Sequence, residues 1–460
     1  MESELHGAGE IIPDKFYFIS VRTLPQNTAT LHFFCVDNEL VYEPFYADFG
    51  PLNLGCVYRY CEIVREKLAN PANARKKIVH YSSLDGHKRA NGAFLVGAYM
   101  VLELGKTADE AIRPVKGMYP PFLPFRDASY GVCTFTLTLL DCFRGLQKGR
   151  ECGFIDMKNF DLKEYQHYEK VENGDLNVIV PGKFIAFSGP SATRQEIGDG
   201  IYTLTPEDYA DLFRKKGVTS IVRLNKKVYD RRQFTDHGFR HYELYFVDGG
   251  TPTEPIIRKF MEICETEGCV AVHCKAGLGR TGTLIGLYMM KHYHFTANEV
   301  IGYLRVLRPG SVIGPQQYFL KEYEARMWKA GEVFRRRKSA EDGGVASSLP
   351  SDVSKLANGI RGLDVEPPPS KSTLSPLRSK SRPTSTGLRS SLSSRSPLST
   401  SSPNANSAAA GPRGGDLGLA VTPTRSGAGA RSLGASASTG RLASLVGARD
   451  RLPPPGPPHP

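Results

Sequence analysis

Between residues 14 and 328 the chain alternates short apolar runs with longer stretches whose apolar residues recur at helical spacing. The short runs bury as strands and the longer ones pack as amphipathic helices, so the pattern predicts α/β layers. Cys269-Val270-Ala271-Val272-His273 reads as a buried strand. Ile256, Ile257, Phe260, Ile263 and Cys264 fall on one side of a helix leading into it. From about Glu332 the pattern stops. Ser, Pro, Gly, Ala and Arg dominate to Pro460, and too little apolar area remains to offset chain entropy. The expectation for 332–460 is a disordered, basic, Ser/Pro-rich tail.

The pattern also repeats. Lys77-Ile78-Val79-His80-Tyr81 resembles Val270-Ala271-Val272-His273-Cys274, and each precedes a polar loop ending in an arginine, Arg89 or Arg280. An apolar helical run follows in both, Ala93 to Met100 and Thr283 to Met289. Thr107-Ala108-Asp109-Glu110 and Thr296-Ala297-Asn298-Glu299 then each carry the pattern that starts a further helix. Two copies of one domain account for this. The expected division is a flexible N-terminus (1–13), a first domain (14–155), an acidic helical linker (156–178) and a second domain (179–331). The linker from Asp161 should be one helix stopped by Asn173-Gly174, with Glu169 and Glu172 sharing a face.

Charge changes the picture only in the tail. The chain carries +12 overall, but from Arg335 onward 18 Lys/Arg face 7 Asp/Glu, a net of +11. The folded part is therefore close to neutral, which argues against a nucleic-acid-binding body. Arginines spread among serines, with almost no aromatics, favour weak salt-sensitive contacts over specific nucleic-acid recognition. Nine scattered cysteines, an odd number, do not make a disulfide framework, and a reducing intracellular compartment is expected. No membrane span is expected, and the start, Met1-Glu2-Ser3-Glu4-Leu5-His6, lacks the plan of a signal peptide.

The chemistry concentrates in Val272-His273-Cys274-Lys275-Ala276-Gly277-Leu278-Gly279-Arg280-Thr281, a Cys-x5-Arg loop between strand and helix. Gly277 and Gly279 let the backbone curl so that its amides converge, and a helix starting near Thr281 adds its positive end. Arg280 offers a planar fork for two phosphate oxygens. That field favours a thiolate at Cys274. A buried core cysteine beside a glycine turn is the plainer reading, but the order of strand, cysteine, glycines, arginine and hydroxyl fits a phosphate cradle. No Cys-x-x-Cys or histidine cluster flanks it, so no metal site is expected and the chemistry needs no cofactor.

An alkoxide leaving group needs a proton. Asp248, in Phe246-Val247-Asp248-Gly249-Gly250, ends an apolar run and precedes loop-forming glycines, which suits a general acid carried over the cradle. Thr281 can donate to the departing sulfur. Gln316 or Gln317, on what reads as a surface turn, can orient the water of a second step. His273 is expected to support the loop rather than act as a base.

These residues are similar to the protein-tyrosine-phosphatase superfamily and, within it, to the cell division cycle fourteen family of dual-specificity phosphatases. The loop His273 to Gly282 carries the resemblance, as do Val180-Pro181-Gly182-Lys183-Phe184, Val171-Glu172-Asn173-Gly174-Asp175, Phe45-Tyr46-Ala47-Asp48-Phe49-Gly50-Pro51-Leu52-Asn53 and Arg308-Pro309-Gly310-Ser311. It runs from about Asp14 to Trp328. The resemblance implies tandem phosphatase-like domains, the first inert because Tyr81 replaces the cysteine. It implies a preference for phosphoserine followed by proline, with the cradle residues Lys275 to Gly279 binding substrate and Ala276 and Leu278 lining the proline pocket. The acidic linker, through Glu169 and Asp175, would hold a downstream basic residue. At Gln166 the family has a carboxylate, so that demand should be softer here.

The resemblance further implies roles in mitotic exit, cytokinesis and centrosome or cilium function, reversing cyclin-dependent kinase phosphorylation. Its setting would be nucleus, nucleolus and cytoplasm, with centrosome, spindle or microtubule association. In the tail, Ser375-Pro376-Leu377-Arg378 and Thr422-Pro423-Thr424-Arg425 have the spacing of cyclin-dependent kinase sites. Two rival readings stay open. One is a lipid phosphatase, against which Leu278 stands where such enzymes place a second lysine. The other is a scaffold acting through the basic tail.

Overall fold

The computed structural model describes residues 5–198 and 200–342. Within them the expected duplication is visible as topology. The first sheet orders its strands Gly9–Ile12, Phe16–Ser20, Lys77–Ser82, Leu31–Phe34, and the second orders Leu176–Val180, Phe184–Phe187, Cys269–His273, Val218–Arg223, Arg240–Glu243. In each, an antiparallel edge hairpin leads into a parallel central strand, Lys77–Ser82 or Cys269–His273. A long buried helix then follows, Gly86–Leu102 or Gly279–Tyr293. Thr107 and Thr296 each start the next helix with a reciprocal capping box. The second sheet adds one edge strand, Arg240–Glu243.

The same lysine turn closes both hairpins. Lys15 Nζ donates to the carbonyls of Asn73, Ala74 and Lys76, and Lys183 Nζ to those of Cys264, Glu267 and Gly268. Ile12-Pro13-Asp14-Lys15-Phe16 is thus the counterpart of Val180-Pro181-Gly182-Lys183-Phe184. This corrects two boundaries. Gly9–Ile12 lies in the stretch expected to be flexible but is a paired strand, because its apolar Ile11 enters the core. Leu176–Val180 crosses the boundary expected at 178/179 and belongs to the second sheet.

Two helices also end elsewhere than expected. The linker helix is Leu162–Glu169, after which Lys170 is extended and Val171–Asn173 form a separate turn. Glu172 therefore does not share a helical face with Glu169. The last helix runs from Pro315 to Asp342, past the boundary at 332, since Phe334 still packs against His292 and Lys291. Ser375 and Thr422 lie outside the described residues.

One hydrophobic cluster runs from Ile11 to Met327 through both domains. Its seam is the crossing of helix Leu139–Glu151 of the first domain with helix Ala297–Leu307 of the second. A Cβ on Gly145 would stand 2.4 Å from the Glu299 carbonyl oxygen, and one on Gly302 would stand 2.9 Å from Cys142 Cα. Backbones this close pack only through glycine. Among the described residues no helix is long and apolar enough to cross a membrane.

Candidate active site

The central strand of the second sheet ends at His273, which puts Cys274 at its carboxyl end, where parallel sheets place their sites. The loop that follows is held by its carbonyls. Gly189 N and Ser188 Oγ donate to the Lys275 oxygen at 2.9 and 3.2 Å. Arg308, fully buried, donates from Nη2 to Ala276 and from Nε to Gly277, both at 2.9 Å. In a planar trans peptide the next amide points opposite the carbonyl. Pinning these three oxygens outward therefore turns the N–H groups of Ala276, Gly277 and Leu278 inward, as an anion nest requires. Gly277 has no substitute: its φ is +68°, and a Cβ would lie 2.0 Å from the Phe187 oxygen.

Below the loop, burial drives the His273 pKa down to about 3, so its ring is neutral. Nδ1 lies 3.0 Å from the Cys274 carbonyl, which only accepts, so Nδ1 carries the proton. Nε2 must then accept from Tyr229 OH at 2.7 Å, and the Tyr229 oxygen accepts in turn from His241 Nε2 at 2.9 Å. His273 is thus a fixed support for the nucleophile's carbonyl. In the first domain Tyr60 OH also meets a buried histidine, His80, at 2.8 Å, but through Nδ1.

The following helix starts at Gly279, two residues before Thr281, which sets Arg280 and Thr281 in its positive first turn. Arg280 is buried and firmly aimed. Its Nη1 donates to Phe246 O at 3.0 Å, and Nη2 pairs with Asp248 Oδ1 at 3.0 Å. Arg280 Nε and Thr281 Oγ1 are buried without a hydrogen-bond partner among the described residues. Two donors within seven residues of Cys274 thus have hydrogen-bonding capacity to spare. Asp248 itself is largely exposed on the loop 246–250, over the cradle.

The glutamines divide. Both are buried, not on an open surface turn. Gln316 Oε1 accepts from Ile313 N at 3.1 Å, while Nε2 donates to Gly250 O of the Asp248 loop at 3.0 Å. The same amide abuts Gly279, whose added Cβ would lie 2.8 Å from Oε1. Gln317 turns away. Its Oε1 accepts from buried Arg305 at 2.6 Å and Nε2 donates to Gly314 O, so its amide serves the frame and not the cradle.

The substrate-side residues sit at the domain junction. Lys275 is exposed and Ala276 half-buried on the rim. Leu278 is buried and lies by Gly310, whose other neighbour is Phe45 of the first domain. Asp175 pairs with Arg308 Nη1 at 3.0 Å, the residue that pins the loop. Asn53 Nδ2 donates to both carboxylate oxygens of Glu169, at 3.1 and 3.0 Å, across the junction. Burial first, then Glu169 and Glu43, push the neighbouring Cys56 thiol up to about 12. Glu169 of the linker and Glu43 of the first domain therefore both bear on Cys56. Among the described residues no group of three or more His, Cys, Asp or Glu could hold a metal ion.

Sequence reasoning did not single out Tyr229, His241, Arg308, Glu43 or Asn53 for these contacts. Arg308 and Asn53 stood within motifs already quoted. Tyr229 and His241 had no local signal, because their link to His273 exists only once three strands are assembled.

A parallel strand delivering a cysteine into a Cys-x5-Arg cradle, with an aspartate loop above it, defines the cysteine-based phosphatase class. Two family models match: the dual specificity protein phosphatase N-terminal half over residues 10–149 and the dual specificity phosphatase catalytic domain over 252–326. The chain is 53% identical over 371 residues to the dual specificity protein phosphatase CDC14A of Mus musculus, covering 78% of this chain and 61% of that protein. It is 48% identical over 363 residues to CDC14C of Homo sapiens, covering 78% and 81%. The tyrosine-protein phosphatase CDC14 homolog of Schizosaccharomyces pombe is 43% identical over 333 residues, covering 70% and 62%. The chain belongs to the CDC14 family of dual specificity phosphatases. It spans about three fifths of the length of its mouse and human CDC14A relatives.

Proposed function

We propose that this chain is a dual-specificity protein phosphatase that hydrolyses phosphoserine, preferentially in Ser-Pro, and also phosphothreonine and phosphotyrosine, through a cysteinyl-phosphate. The observation that carries this is Arg280, buried at the first turn of its helix with an unpartnered Nε, facing a loop whose carbonyls are all tied outward. In the first step the Cys274 sulfur attacks phosphorus, an S–P bond forms and the P–O bond to the substrate breaks. Arg280 and the inward amides hold the three other oxygens. Asp248 passes its proton to the leaving oxygen. In the second step Gln316 orients a water, Asp248 takes its proton, the S–P bond breaks, and the Thr281 hydroxyl steadies the departing sulfur.

The rim supports this substrate class. Ala276, half-buried, and Leu278, buried, are apolar and would suit proline, while Glu169 and Glu43, both acting on Cys56, would suit a basic residue downstream; Asp175 is already paired with Arg308. Gln166, neutral in a linker of carboxylates, weakens that attraction. Such substrates are products of proline-directed kinases. The names of its relatives set this activity in cell division, and mitotic exit, cytokinesis and centrosome or cilium function are the proposed contexts. Nucleus, nucleolus, cytoplasm, centrosome and spindle are the proposed sites, with microtubule or centrosome association.

The test is steady-state kinetics of the full chain on phosphoserine-proline peptides with the downstream basic residue varied, beside a phosphoinositide. Release from the peptides, abolished by Cys274→Ser, is the expected result. Preferential release from the phosphoinositide would transfer the proposal to lipids. Unaltered release from Cys274→Ser would remove the nucleophile altogether.

A further inference from the structure

The glutamine proposed to orient water is not held by its own domain alone. The turn before it is unusual: Val312, a β-branched residue, has φ +60°, and Gly314 has φ +54°. A branched residue in the left-handed region is strained and persists only where its surroundings over-determine it. From inside, Arg305 supplies the restraint, donating from Nε to Ser311 O at 3.1 Å and from Nη2 to Val312 O at 2.9 Å. From outside comes a residue 187 positions earlier in the chain. Gly314 N donates to Asp127 Oδ2, and Asp127 is a first-domain side chain only 1% exposed.

Its neighbours continue the contact. Tyr318 OH meets Thr134 Oγ1 at 3.1 Å, and its ring meets that of Phe135 edge-on at 5.5 Å. Asp127 also faces the charge of Arg305, a buried guanidinium whose Nη1 lacks a hydrogen-bond partner among the described residues. Burial works against the Asp127 charge, yet Gly314 N–H, nearby Cys133 and Ser129, and Arg305 outweigh it and hold the carboxyl below its ordinary value. The anion is therefore built in.

We propose that Asp127 is a positioning residue for the second chemical step, contributed by the inert domain: it fixes the Gly314 amide and, through it, the Gln316 side chain against the cradle and the Asp248 loop. The inference rests on the phosphatase reading above. In that step water adds to phosphorus and the S–P bond breaks, so Gln316 needs to be still only after the cysteine has been phosphorylated. The first step uses Cys274, Arg280 and Asp248, and Gln316 touches it only through Gly250 O of the Asp248 loop. With a leaving group that needs no proton from Asp248, displacing Gln316 should slow the second step alone.

The experiment is rapid mixing of the full chain with p-nitrophenyl phosphate, whose good leaving group makes the first step fast. The burst of nitrophenol reports cysteine phosphorylation and the later steady rate reports hydrolysis. In Asp127→Ala the burst is expected to stay while the steady rate falls about tenfold to a hundredfold, the scale of a misplaced catalytic group. Asp127→Asn keeps an acceptor for Gly314 N–H and should recover most of the rate. Added to Gln316→Ala, Asp127→Ala should cost little more. If Asp127→Ala does not fold, Asp127→Ser, too short to reach the amide but able to admit water, takes its place. Equal losses in burst and steady rate, or a full extra loss on top of Gln316→Ala, overturn the inference alone. No nitrophenol release from the unmodified chain overturns the phosphatase reading and this inference with it.

Discussion

Asp248 Oδ1 stands 3.0 Å from Arg280 Nη2. The side chain proposed to supply the proton is thus held by the guanidinium proposed to grip the phosphate. Incoming phosphate oxygens compete with this carboxylate for one fork, and displacing it sends Asp248 toward the leaving group.

Removing the acid should therefore have two effects of opposite sign. Asp248→Asn is expected to slow phosphoserine turnover by about 10²–10⁴, and aryl phosphate turnover less, since a good leaving group needs no proton. Asp248→Ala should bind vanadate more tightly, because Arg280 loses its competing anion. Inhibition constants beside peptide kinetics check both, and unchanged peptide turnover would point to another acid.

Tyr229→Phe removes one oxygen that serves two histidines. His273 Nε2 and His241 Nε2 would both lose a buried partner. The expected cost is about 1–3 kcal/mol of stability, read by denaturant unfolding. Turnover should fall too, since the ring beneath the Cys274 carbonyl loses its anchor. His241→Ala, cutting the chain one link further out, should cost less.

Acid should weaken the fold through buried neutral histidines. Burial holds His80 and His273 at about 3 and His241 at about 4, against an ordinary 6.5. The unfolded chain takes up their protons first, so the stability they allow is whole above pH 6.5 and is lost as pH falls toward 3. Each should contribute a slope of roughly 1.4 kcal/mol per pH unit once well below 6.5. Urea midpoints between pH 7.5 and 5 measure this, and His80→Gln should flatten the slope these three histidines give by about a third. A midpoint constant across that range would contradict neutral burial.

Gly277→Ala should be severe although it adds one methyl group. The new Cβ meets the Phe187 oxygen at 2.0 Å, backbone against backbone, at a φ of +68°. The loop must leave its carbonyl clamps to relieve this. Expected are near-complete loss of turnover and a lower melting temperature, both measurable on one preparation.

The cradle was legible in sequence because its chemistry is local: Cys274, Gly277, Arg280 and Thr281 lie within eight consecutive positions. The duplication was legible through its central strands, and Ile12-Pro13-Asp14-Lys15-Phe16 was a further signal left unused. The linker helix ends at Glu169 and the last helix at Asp342, neither where the local residues had put it. Arg308, Tyr229 and Asp127 act across long separations in sequence, where periodicity says nothing. Asp175 looked like an open acid until its ion pair with Arg308 was on view.

A duplicate with Tyr81 where its sister carries Cys274 would ordinarily be free to decay or be deleted. The glycine seam at Gly145 and Gly302 removes that freedom. Without the helix Leu139–Glu151, the helix Ala297–Leu307 would turn a groove cut for another backbone toward water, and no side chain of its own could fill it. Inheritance of the first domain is thus enforced by solubility, and the gene can shed it only by redesigning the surface beneath.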